Sequence, residues 1–105
     1  LTRRFLKMSL ATAFHAEHSR AVHAGESLSI ERLGYMTEKA PHDHVFPLLL
    51  GLTLAEQDDY VGALGALRQA RDRVLLGLES RPRDLLLTAE LEKLAIDIAD
   101  TERRL

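Results

Sequence analysis

The amino-acid sequence predicts an all-α fold of about five antiparallel helices, and three observations carry that expectation. Apolar residues make up 46% of the 105-residue chain while aromatics reach only 5%, so the side chains that build strands are scarce and leucine and alanine dominate. Those leucines and alanines recur at three- and four-residue intervals, the period of one helix face. Breakers at Gly25-Glu26-Ser27, Pro41 to His44, Gln57 to Asp59 and Ser80 to Pro82 cut the chain into five segments of helical length. Residues 1–105 read as one domain, because a chain of this length has room for one core and not for two.

The first segment, about Arg3 to Ala24, carries Leu6, Leu10, Ala13, Phe14, Ala21 and Val22 on a broad apolar stripe. The second, about Ser27 to Lys39, follows the Gly25 turn with Ser27 as its expected N-cap, turns Leu28, Leu33 and Met36 inward, and is closed by Pro41. A start near His44 places Pro47 in the first turn of the third helix, where a missing N–H costs nothing, and that helix runs to about Glu56. Asp58 and Asp59 open the fourth, as caps for free N–H groups at the positive end of the helix dipole. Its apolar positions are Tyr60, Ala63, Leu64, Leu67, Ala70, Val74 and Leu78. The fifth, about Pro82 to Arg104, gathers Leu87, Leu91, Leu94, Ala95, Ile98 and Ala99 on one face.

Within this frame the stretch Pro47-x-x-Leu50-Gly51-x-x-Leu54, followed by Ala63-x-x-x-Leu67-x-x-Ala70, has a specific physical sense. Gly51 lets two helices approach closely, and Ala63 and Ala70 are small where a neighbouring helix crosses. The spacing resembles one tetratricopeptide repeat, with its best match over 44–77. One period back, about 34 residues, the positions of Ala63, Leu67 and Ala70 become Ser29, Leu33 and Met36, and Pro41 stands where that family places its closing proline. A degenerate copy over about 10–41 is therefore similar to a second repeat, and the segment at about 82–104 would be the capping helix that such arrays need.

The resemblance implies a protein that holds another protein in a concave groove. Family members that clamp a C-terminal carboxylate line that groove with lysine, arginine and asparagine. Here the corresponding stripe is Val45, Leu48, Leu52 and Ala55, which points to an apolar peptide or the amphipathic helix of a partner. In size and architecture the chain is similar to the small repeat-containing chaperones of bacterial secretion systems. Independently of any resemblance, the run from Val45 to Ala55 is apolar nearly all the way round, so it must be covered on more than one side. Each leucine left in water forgoes about 1.5–3 kcal/mol. The cover is a partner with Phe14 and His18 as the other wall of the groove, a second copy of the chain, or the chain's own first or fifth helix.

A rival expectation is a metal site. His15, Glu17 and His18 lie close together on the first helix, and the His42-Asp43-His44 turn is a further source of imidazole. Zinc needs three or four ligands converging at about 2 Å, and a three-residue helical spacing supplies two of them. Solvated histidines are the simpler reading, so no metal or other cofactor is expected, and protonation of His18 would make a groove pH-sensitive. Enzymatic constellations are not evident: there is no glycine-rich phosphate loop, no nucleophile elbow and no cysteine. Glu90, Glu92 and Asp97 read as a solvated face, and a non-catalytic protein is expected.

A net charge of −2 gives no general pull toward nucleic acid. The basic residues Arg68, Arg71, Arg73, Arg81 and Arg83 alternate with acids and read as solvated. Thr2-Arg3-Arg4-Phe5-Leu6-Lys7 is similar to a twin-arginine export signal, yet Lys7 and Ser9 interrupt the apolar stretch that would have to follow. A cytoplasmic location is therefore expected over export, and membrane insertion is not, since no run approaches the roughly 18 apolar residues of a span. Opening on Leu1 rather than methionine fits a trimmed chain or a fragment of a larger protein, one whose role could be homo-oligomerisation.

Overall fold

A computed structural model of the chain describes residues 29–105 and is all-α over them. Four helices follow in order: α1 (Ile30–Lys39), α2 (Val45–Glu56), α3 (Tyr60–Ser80) and α4 (Leu85–Arg103). The expected helix over Arg3 to Ala24, with Ser27 and Leu28, lies outside the described residues. Each helix packs on the next, most extensively α2 on α3 and then α3 on α4.

Local chemistry sets each helix start. Ser29, rather than the expected Ser27, caps α1, its hydroxyl accepting from the Arg32 N–H at 3.2 Å. Asp43 Oδ1 accepts from the Val45 N–H at 2.8 Å and opens α2, with Pro47 harmlessly in the first turn and fully buried. Of the two aspartates expected to cap α3, only Asp59 does so, accepting from Gly62 N–H at 3.0 Å. Asp58 instead takes a left-handed backbone, φ 62°, and reverses the chain. The last helix starts at Leu85 and not near Pro82, because the Asp84 carboxylate accepts from both Leu86 and Leu87 N–H groups.

The larger core joins Leu48, Leu64, Leu67, Ala70, Val74, Leu87, Leu94 and Ile98, from α2, α3 and α4. Gly51 is the reason α2 and α3 sit so close: a Cβ there would stand 2.8 Å from Leu67 Cγ and 3.2 Å from the Ala63 carbonyl oxygen. On α4 the buried line is Leu87, Leu94, Ile98 and Thr101, whereas Ala95 and Ala99, expected inward, face water. Each of those alanines lies one residue beyond a buried position, about 100° around the helix. The Thr101 hydroxyl is accommodated by donating to the Asp97 carbonyl at 2.7 Å.

A smaller cluster of Leu33, Met36 and Phe46, with Leu49 and Leu50 against it, attaches α1 to α2. The second attachment is polar and comes from Arg73 on α3. Its Nη1 donates to the carbonyls of Ala40 and Asp43 at 3.1 and 2.8 Å, and its Nη2 to the Thr37 carbonyl at 2.9 Å. Arg73 thus closes the C-terminal end of α1, where carbonyls lack intrahelical partners and the dipole favours a cation. Burial pushes this guanidinium below its ordinary pKa while the nearby Asp43 charge pulls it upward. The expectation that Arg73 belongs to a solvated face is therefore corrected.

Candidate functional site

Two ends of the bundle are chemically distinct. At one, the α1–α2 turn, the second half of α3 and the start of α4 meet; Arg73 lies there, and His44 Nε2 stands 3.8 Å from Glu90 Oε2. At the other, the last turns of α2 and α4 flank the start of α3, with the Arg104 guanidinium 5.8 Å from the Tyr60 ring centroid. This second end holds an open cleft of about 500 Å³.

The cleft is built from short-range features. Residues 54–59 form a tight turn in which the Leu54 carbonyl accepts from the N–H groups of Gln57 and Asp59 at 3.1 and 2.9 Å. That turn, with Asp58 left-handed at its centre, holds the Asp58 carboxylate beside α3, where it accepts from the Tyr60 hydroxyl at 2.9 Å. Leu52 and Ala55 from α2 and Leu67 from α3 supply apolar lining. Leu52 is the one of the three held in water, 38% exposed.

The rim is acidic: Glu56 and Asp58 from the α2 side, Asp97 and Asp100 from α4. Asp100 pairs with Arg103 one turn on, and Arg104 is the cation among the lining residues. Asp97 is partly buried, and its Oδ2 is shut from water with no hydrogen-bond partner among the described residues. The hydroxyls of Tyr60 and Thr101 are already donating within the protein. Among the described residues the lining is therefore apolar contact at Leu52, Ala55 and Leu67 bounded by the carboxylates of Glu56, Asp58, Asp97 and Asp100.

The residues expected to line a partner groove are distributed as follows. Leu52 and Ala55 come together in the cleft. Leu48 does not; at 8% exposure it belongs to the larger core that α2 shares with α3 and α4. Val45 is partly buried at the other end of α2. Phe14 and His18 lie outside the described residues, as do His15 and Glu17 of the alternative metal reading. Among the described residues no group of three or more His, Cys, Asp or Glu is placed to hold a metal ion. No described helix is long and apolar enough to cross a membrane.

Sequence reasoning missed the acidic rim. Glu90 is partly buried beside His44 and Asp97 lines the cleft, so of the acids read as a solvated face only Glu92 is exposed. A signal existed in the spacing Asp97, Asp100, Arg104 beside the buried Ile98 and Thr101, which puts three charges along one edge of the core stripe. No family model, curated protein or solved structure matches this chain.

Proposed function

We propose that the chain is a non-catalytic interaction module, an adaptor or chaperone of tetratricopeptide-like construction, that holds the amphipathic helix of a partner in the cleft of Leu52, Ala55 and Leu67. The observation that carries this is Leu52, a leucine kept partly in water inside a concave site although the core of the same helix lies one turn away. Support for the repeat-like frame comes from the Leu50-Gly51, Ala63, Leu67 and Ala70 spacing. Helix-in-groove recognition needs anchors at helical spacing in an apolar trough, and two turns of α2 with the start of α3 provide one.

The test is titration of a fluorescent amphipathic peptide, leucine on one face and glutamine on the other, followed by anisotropy. Saturable binding is expected, with Leu52→Glu weakening it at least about tenfold, since a charge buried without a partner costs more than 1.4 kcal/mol. The variant should melt within a few degrees of the parent. Equal binding by both proteins would sink the proposal.

A second reading, self-association, is favoured by Leu85, Leu86 and Ile96 on α4, exposed at 83%, 79% and 63%. Light scattering across a dilution series reads it directly. A monomer at all concentrations removes it.

A further inference from the structure

We infer that the cleft selects a basic amphipathic helix, one that sets lysine or arginine beside its leucine anchors; this rests on the holding-site reading above and names its partner's chemistry. The apolar lining of Leu52, Ala55 and Leu67 fits any hydrophobic anchor and does not by itself choose among partners. Charge does. Glu56, Asp58, Asp97 and Asp100 surround that lining, and the nearby cations Arg103 and Arg104 offset only part of them.

Two further features have the same sign. The C-terminal ends of α2 and α4 both lie at the cleft, so the negative ends of two helix dipoles add to the carboxylates. The positive end of α3 is there too, but Asp59 already caps it. The buried Oδ2 of Asp97 also lacks a donor among the described residues. With no donor to offset it, this carboxylate adds negative charge at the cleft wall, although the oxygen itself is covered. A bare metal ion is not the occupant this geometry fits, because the acids do not converge as a ligand set.

An acidic or neutral helix would meet the same apolar lining but bring like charge, or none, to the rim. Charge complementarity of this kind sets specificity more than raw affinity, and it weakens as salt screens it.

The experiment uses the full chain and two labelled helical peptides with identical leucines, one carrying lysines and the other glutamates on the flanks. The lysine peptide is expected to bind at least about tenfold more tightly at low salt, with the preference shrinking toward unity near 1 M salt, where screening acts within about 3 Å. Glu56→Gln with Asp58→Asn and Asp100→Asn should shrink the preference several-fold, Asp97 and the helix ends remaining, while leaving binding of the glutamine-faced peptide intact. All three positions are exposed, and asparagine keeps the left-handed backbone at position 58.

Equal binding of the lysine and glutamate peptides would overturn the inference while leaving the holding site standing. Failure of all three peptides would overturn the holding site itself. A lysine preference left undiminished by the triple substitution would overturn the assignment to this cleft. The chain's own Arg3-Arg4-Phe5-Leu6-Lys7 has the same chemistry. If Arg3→Glu with Arg4→Glu and Lys7→Glu tightened lysine-peptide binding about tenfold, an internal occupant would replace the foreign one.

Discussion

The α2–α3–α4 core and the attachment of α1 solve the same problem, joining a helix to its neighbour, by different physics. In the first, Gly51 of α2 receives the Leu67 side chain and the Ala63 backbone of α3 at close range, beside a core of leucine, valine and isoleucine. In the second, a small cluster around Leu33, Met36 and Phe46 is supplemented by one guanidinium on three carbonyls. A ten-residue helix has few side chains with which to build an apolar seam. Closing its C-terminal end from outside anchors the backbone instead, and makes α1 depend on a residue 36 positions beyond Thr37.

The sharpest way to break the comparison is Leu67→Ala. Leu67 is 1% exposed at the centre of the larger core, and truncating it should lower stability by about 2–5 kcal/mol in one cooperative transition. Denaturant unfolding followed by circular dichroism reads the loss. A small effect would mean that the interlocked seam is not what holds α2 to α3.

Next in size is Arg73→Met, which keeps the packing of the side-chain stem but removes the donors. We expect about 2–3 kcal/mol, from lost charge-assisted hydrogen bonds and carbonyls left without them. Its signature is local: amide exchange should accelerate over residues 30–39 before it does over α3 and α4. Arg73→Lys should recover only part, since one ammonium cannot reproduce the planar fork. Uniform loss of protection along the chain would show that α1 is not separately anchored.

The smallest effect sharpens the apolar side. Gly51→Ala places a methyl against Leu67 and should cost about 0–2 kcal/mol net, overpacking of about 1–3 kcal/mol being offset by roughly 1 kcal/mol of helix propensity. In the Leu67→Ala background the same change should become neutral or stabilising. Strong coupling in this double-mutant cycle would confirm that the two residues share one contact, and simple additivity would refute it.

Much of this was legible beforehand, and the parts that were not share a cause. The spans of α2 and α3, the small residues at their crossing and the buried stripe from Ala63 to Val74 follow from period and residue size, which act over a few neighbouring residues. Starts governed by a competing cap were misplaced, as at Ser29 and Asp84, because several polar residues stood near each turn and only backbone geometry chooses among them. The candidate site was half visible. Leu52 and Ala55 emerge from the all-round apolarity of α2, but Leu48 shares their sequence character and differs only in being buried in the larger core.

What the sequence by itself determined is the helical class, the turns and the small-residue seam, since these arise from propensity, steric size and local hydrogen bonding. The tertiary structure alone decided which apolar residues of α2 are core and which line a cleft. It also decided that Arg73 is a clamp while its basic neighbours stay partly or fully in water, and that Asp97 and Asp100 from one helix stand with Glu56 and Asp58 from another. The physical reason is that burial and electrostatic environment depend on distances between elements far apart in the chain, and these exist only once the helices have packed.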